Sequence, residues 1–147
     1  MTTPTRFVTP SRIRSVVYWF TTLILLAESA VGGAYWDLFR IPYVKDMFNH
    51  LGYPLYFATL MGLWKIAAVL AIIAPGFPRL KEWAYAGVFF VYSGASFSHL
   101  AVGDSLGDAV GPGVFALFAL ASWALRPKGR RDPVPNDSAW ILARPAR

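Results

Sequence analysis

Three ionisable side chains lie inside apolar stretches of the chain, where charge is costly. Lys65 is near the middle of the apolar run 54–75, and Glu28 and His99 lie within two other runs. A lysine at the centre of a membrane-spanning helix costs roughly 2.5–3.5 kcal/mol on insertion scales. Such a residue is rare unless it faces a protein interior, a partner or water, so these side chains indicate a polar site inside a membrane.

Helical spacing predicts that the polar side chains converge. From the helical rise of ~1.5 Å per residue, Glu28 and His99 lie near the outer ends of their runs, and Lys65 is long enough to extend toward Glu28. Tyr92 and Ser96 precede His99 on the same helix face. We therefore expect one ligand-binding site formed by Glu28, Lys65, Tyr92, Ser96 and His99.

The residues leave several roles open for this site. Glu28 and Lys65 would form an ion pair that only fixes helix register, or they would take part in an ion or proton relay. A pocket for a small polar or quinone-like ligand is a further alternative. No second histidine at metal-ligand spacing accompanies His99, so we expect no metal site, and we assign no catalytic residue.

The composition is that of a membrane protein. Of 147 residues, 56% are hydrophobic and 15% charged, and the mean hydropathy is +0.44. The net charge of +6 comes mainly from the chain ends and short connectors, which favours a lipid bilayer over nucleic acid as the partner. The absence of cysteine excludes disulfides and thiol chemistry.

Four apolar runs predict four spans, 15–33, 54–74, 83–101 and about 108–125. The fold expected is all-α, an integral membrane antiparallel four-helix bundle. Its domains are a basic cytoplasmic tail (1–14), the membrane domain (15–126) and a disordered basic tail (127–147). Glycines in the runs, among them Gly62, Gly87 and Gly94, predict close contacts between helices.

Between the first two spans we expect a short amphipathic helix on the membrane surface. Val44, Met47, Phe48 and Leu51 recur at helical spacing, with a proline suited to the start and a glycine suited to the stop. An ordinary aromatic loop is the alternative.

The charges outside the spans predict the orientation. The N-terminal tail, the second connector with Arg79 and Lys81, and the C-terminal tail are basic, whereas the third connector has Asp104 and Asp108 and no base. By the positive-inside rule this indicates a multi-pass membrane protein with both termini in the cytoplasm.

Several short motifs resemble one membrane family. They are Leu51-Gly52-Tyr53-Pro54, Gly62 with Lys65, Pro75, the run Lys81-Glu82-Trp83-Ala84-Tyr85-Ala86-Gly87, and Ser98-His99. Over about residues 16–125 the chain resembles the DoxX-like family. The resemblance implies a small bacterial inner-membrane protein with four helices. Wider DoxX relatives include a subunit of a thiosulfate:quinone oxidoreductase and a mycobacterial protein associated with oxidant defence.

The resemblance implies the fold more specifically than the activity. We expect an accessory or ligand-binding membrane component with its site around Lys65 and no bound cofactor. The alternative is a quinone-interacting subunit of a membrane oxidoreductase, with quinone as cofactor and a membrane or redox protein as partner.

Overall fold

The computed structural model of the chain describes residues 10–127 and 130–131. The parts of the two predicted tails at 1–9, 128–129 and 132–147 lie outside the described residues. The helix that was predicted from residue 15 begins earlier, at Pro10.

The described residues form helices joined by short turns, and residues 10–127 and 130–131 contain no strand. The predicted all-α class is therefore confirmed. The elements are α1 (Pro10–Glu28), which continues as a π-helical segment (Ser29–Asp37), α2 (Pro42–His50), α3 (Leu55–Ile73), α4 (Pro78–Ala101) and α5 (Leu106–Leu125).

Three helical stretches are long and apolar enough to cross a membrane. They are Arg12–Asp37 with 26 residues, Leu55–Ile73 with 19 and Leu106–Leu125 with 20; about 20 apolar residues span a bilayer. Helix α4, with 24 residues, is long enough but falls short in apolar character. Its serines and His99 lower its hydropathy.

The helices pack around a core of apolar and aromatic side chains. Helix α4 packs against α3 and α5, α1 packs against α5, and the π-helical segment packs against α3. The main core cluster comprises Leu25, Ile72, Tyr85, Val88, Tyr92, Ala116 and Ala119. Ser122 is buried beside it, with its Oγ 2.6 Å from Thr22 Oγ1 and 2.8 Å from Tyr85 Oη. These bonds satisfy hydroxyl groups that burial removes from water.

Basic side chains gather at one end of the molecule. Arg14 donates to the Ala124 carbonyl at 3.4 Å, Arg130 donates to the Ile72 carbonyl at 3.3 Å, and Arg126 pairs with Glu82. These contacts bring the start of α1, the end of α3, the start of α4 and the end of α5 together.

Lys81 is buried at this basic end. Its ammonium group donates to the carbonyls of Ala71 at 3.1 Å, Gly76 at 3.0 Å and Ala74. Carbonyls at the end of a helix lack partners within the helix, so Lys81 caps α3.

The amphipathic helix predicted after the first span is confirmed as α2. Pro42 is its first residue, and Gly52 follows it with φ +76°. Val44 and Phe48 are buried in a cluster with Ala58 of α3. The apolar side of α2 therefore covers the start of α3, where the sequence had suggested contact with the membrane surface.

Close helix contact occurs at one of the predicted glycines and not at two others. A Cβ atom on Gly62 would lie 2.7 Å from the carbonyl oxygen of Gly33, so α3 touches the backbone of the π-helical segment there. A Cβ atom on Gly87 or Gly94 would meet nothing within 4 Å. The prediction is confirmed for Gly62 and wrong for Gly87 and Gly94, which do not lie at a helix contact.

We predict that Gly62→Ala destabilises the protein by about 1–3 kcal/mol, because the added methyl group overlaps backbone that cannot swing away. Gly87→Ala is the matched control, which should leave stability unchanged or raise it by up to about 1 kcal/mol through helix propensity. Thermal unfolding in detergent measures both. Equal effects from the two substitutions would contradict the close contact.

Candidate functional site

Lys65 forms an ion pair with Asp37. Its Nζ lies 3.1 Å from Asp37 Oδ2, and the side chains are 14% and 6% exposed. The predicted ion pair between Lys65 and Glu28 is wrong: within the described ranges, Asp37 is the carboxylate that pairs with Lys65. The reason is that the first helical stretch continues past Gly33 as a π-helical segment, which carries Asp37 to α3.

Two glycines of the π-helical segment make room for the lysine. A Cβ atom on Gly33 would lie 2.5 Å from Lys65 Cβ, so the stem of the lysine runs against the backbone there. A Cβ atom on Gly32 would lie 2.7 Å from Glu28 Oε1 and 3.8 Å from Lys65 Nζ. The carboxyl group of Glu28 and the ammonium group of Lys65 thus border the same small space above Gly32.

Glu28 has an unsatisfied oxygen beside this pair. Its Oε2 is buried and has no hydrogen-bond partner among the residues that the structure describes. In the described part of the chain, the other buried side-chain atom in that condition is Arg126 Nη1, at the basic end, where the same guanidinium group already bonds Glu82 and the Trp123 carbonyl. A buried carboxyl oxygen without a partner is costly, because burial removes it from the water that would otherwise bond it.

Tyr92 of α4 completes the group. Lys65 Nζ lies 5.5 Å from the centroid of the Tyr92 ring, within the range of a cation–π interaction. The Tyr92 hydroxyl lies 3.2 Å from Ser29 Oγ, so α4 is joined to the π-helical segment. We call Glu28, Ser29, Asp37, Lys65 and Tyr92 the Lys65 cluster.

The other two predicted site residues contact the α5 side of the molecule. Ser96 Oγ donates to the Ala109 carbonyl at 2.8 Å. His99 Nδ1 lies 2.7 Å from Asp104 Oδ2, in the turn after α4. The structure therefore brings Glu28, Lys65 and Tyr92 together and gives Ser96 and His99 other partners. Their role in binding a ligand stays a prediction.

Asp104 holds two histidines at the end of the molecule opposite the basic residues. His50 Nε2 lies 2.6 Å from its Oδ1, and His99 occupies its Oδ2. Hydrogen bonds from His99 and His50 hold the pKa of the Asp104 carboxyl below its usual value. The arrangement ties α2 to the turn between α4 and α5.

Asp37 is the site residue that sequence reasoning missed. It lies beyond residue 33, where the first span was predicted to end. The nearby Arg40 donates instead to Thr59 Oγ1, from Nε at 3.0 Å and from Nη2 at 2.7 Å. The available signal was the absence of a proline or charged residue between Glu28 and Asp37, which permits a helix to continue to the aspartate.

A metal site finds no support in the described part of the chain. Nowhere in residues 10–127 and 130–131 do three His, Cys, Asp or Glu side chains come together in a way that could hold a metal ion.

A family model describes most of this structure. The model of the DoxX-like family matches residues 21–122, a range that contains the whole Lys65 cluster. The chain belongs to the DoxX-like family. This membership and the apolar helices fit a membrane protein. No curated protein and no solved structure matches the chain.

We predict that Lys65→Met and Asp37→Asn are coupled. Removing one partner of a buried ion pair leaves an uncompensated charge and costs on the order of 3 kcal/mol. Asp37→Asn should then add little to Lys65→Met, whereas Glu28→Gln should be nearly additive with it. Thermal unfolding of the single and double variants in detergent measures both interaction energies. A larger coupling with Glu28 than with Asp37 would contradict the pairing.

A second prediction concerns acid stability. Because the pKa of Asp104 is lower in the folded protein than its unfolded value of about 3.9, its contribution is present above that pH and is lost as pH falls through the folded pKa. Asp104→Asn should lower the melting temperature at neutral pH, and this difference should shrink below about pH 4. Asp46→Asn, an exposed change on α2, is the control. A difference that is independent of pH would contradict this role.

Proposed function

We propose that the chain is a multi-pass inner-membrane protein of four antiparallel spans, α1, α3, α4 and α5, with both termini in the cytoplasm. The exposed side of α4 supports its inclusion, because Trp83, Phe90 and Phe97 recur every two turns and are 69–78% exposed. Its buried residues include Tyr85 and Tyr92. A helix that exposes aromatic side chains on one side and buries its tyrosines against neighbouring helices is suited to contact with lipid. The basic residues gathered at one end support the orientation.

The chain has no cysteine, so single introduced cysteines report the topology directly. We predict that Val102→Cys reacts with a membrane-impermeant maleimide in intact cells, because it follows α4 on the outer side. Pro75→Cys, which precedes α4, should react only after permeabilisation. Both positions are exposed in the protein. Equal labelling of the two in intact cells would show that α4 does not cross the membrane.

We propose further that the protein is an accessory or ligand-binding component whose binding site is the Lys65 cluster. The observation that carries this proposal is the buried Glu28 Oε2 without a partner, beside a lysine and aspartate that already satisfy each other. A small polar ligand with a hydrogen-bond donor would occupy that oxygen, and the face of Tyr92 would contact its apolar part. Intramembrane ionisable groups typically serve such sites.

The alternative proposal is a quinone-interacting subunit of a membrane oxidoreductase, acting with a membrane or redox protein partner. Two observations favour it. Lys65 places a hydrogen-bond donor next to an aromatic ring at Tyr92. A mostly apolar groove of about 370 Å³ between α4 and α5 would suit an isoprenoid chain; it is lined by Glu82, Tyr85, Phe89 and Trp123 among others, and by no residue of the Lys65 cluster.

Extraction of the purified protein distinguishes these proposals. We predict that an organic extract of the wild-type protein contains a small molecule at near-stoichiometric amount by mass spectrometry, and that Lys65→Met loses it. Lys45→Met, an exposed lysine on α2, is the matched control and should retain it. A quinone would support the second proposal, and another polar molecule would support the first. No Lys65-dependent molecule from well-folded protein would overturn both.

A further inference from the structure

The Lys65 cluster contains one more carboxyl group than its lysine can neutralise. Lys65 and Asp37 form an ion pair at 3.1 Å, in which each charge compensates the other. Glu28 forms no ion pair within the described ranges, although its Oε1 reaches the space above Gly32 that Lys65 Nζ also borders. If Glu28 were ionised, the Lys65 cluster would therefore carry a net charge of −1 between apolar helices.

The lack of a hydrogen-bond donor at Glu28 also argues for a neutral carboxyl group. Its buried Oε2 accepts none from any described residue. An ionised carboxylate accepts hydrogen bonds at both oxygens and is strongly destabilised when it is buried without partners, whereas a neutral carboxyl group is destabilised much less. Burial of this kind favours the protonated form.

The elements around Glu28 bring no other charge to it. The charged residue of α3 is Lys65. From α4, the residue that comes near is Tyr92, whose hydroxyl lies 3.2 Å from Ser29 Oγ. The charged residues of α4 lie near its ends: Arg79, Lys81 and Glu82 at the basic end, and His99 on Asp104 at the other. In α5 the charged residue is Asp108, in its exposed first turn, and α1 has Arg12 and Arg14 at its start. Lys65 and Asp37 are thus the charges that act on Glu28, with opposite signs.

We propose that Glu28 holds a proton in the resting protein and exchanges it with water, so that the Lys65 cluster is a proton-binding site. The exchange is Glu28–COOH plus H₂O to Glu28–COO⁻ plus H₃O⁺. This inference rests on the proposed function in that it assigns a proton to the same site. In the adjoining π-helical segment, Gly32 lacks a side chain where the carboxyl group lies, since a Cβ atom there would be 2.7 Å from Glu28 Oε1.

A membrane-soluble carbodiimide tests the proposal, because dicyclohexylcarbodiimide adds to protonated carboxyl groups in apolar surroundings and leaves a stable mass increase. Wild-type protein in detergent is treated across a pH series, and the modified peptide is identified by mass spectrometry. We expect modification at Glu28, falling about tenfold per pH unit once the group ionises. Asp37, ion-paired with Lys65, and Glu82, paired with Arg126, serve as internal comparators and should stay unmodified. Glu28→Gln should abolish the product.

An infrared difference spectrum supplies a second measurement that does not depend on reagent access. Wild type minus Glu28→Gln should show the C=O stretching band of a protonated carboxylic acid at neutral pH. Absence of both that band and the labelling would overturn the proposal. Protection of Glu28 by sodium ions at constant pH would also overturn it, since the site would then bind a metal cation.

The outcome is separable from that of the proposed function. An ionised Glu28 in a protein that still yields a Lys65-dependent small molecule would overturn the proton proposal alone. A protonated Glu28 in a protein that yields no such molecule would overturn the ligand-binding function and leave the proton site standing.

Discussion

An ammonium group that is buried between apolar helices has to be neutralised by another group of the protein. In this protein Asp37 neutralises Lys65. Much of the surrounding geometry serves this contact. The first helical stretch continues nine residues beyond α1 as a π-helical segment, and its last residue is Asp37. Gly33 lacks a side chain where the lysine stem crosses, and Gly62 lets α3 approach the same backbone. A change at any of these positions would displace the lysine from its partner.

The two ends of the molecule handle charge differently from its interior. At the basic end, Lys81 caps carbonyls of α3 and Arg126 pairs with Glu82, so that positive charge is held by backbone and one carboxylate. At the other end, Asp104 holds His50 and His99. Both arrangements sit at turns. The Lys65 cluster lies between helices instead, and its buried Glu28 Oε2, which has no partner among the described residues, points to a ligand or a proton.

The sequence predicted the helices better than the contacts between their side chains. Helix α3 was expected at 54–74 and is Leu55–Ile73, because its apolar run is bounded by prolines on both sides. The amphipathic pattern likewise located α2. The prediction of Glu28 as the partner of Lys65 was wrong for two reasons. Residue spacing gives the height of a side chain along its helix but not the direction in which it faces. The first span was also expected to end at its glycines, before Asp37. The absence of a proline or charged residue between Glu28 and Asp37 permits the continuation, but the packing of the π-helical segment against α3 is a long-range contact that a local pattern does not record.

Exchanging the two charges tests the central claim most directly. Lys65→Asp and Asp37→Lys should each reduce the yield and melting temperature of the detergent-purified protein, because each leaves two like charges facing one another. The double variant restores an opposite pair and should recover much of the loss, whereas Lys65→Glu with Glu28→Lys should not. Recovery by the Glu28 exchange and none by the Asp37 exchange would contradict the pairing on which the Lys65 cluster is built.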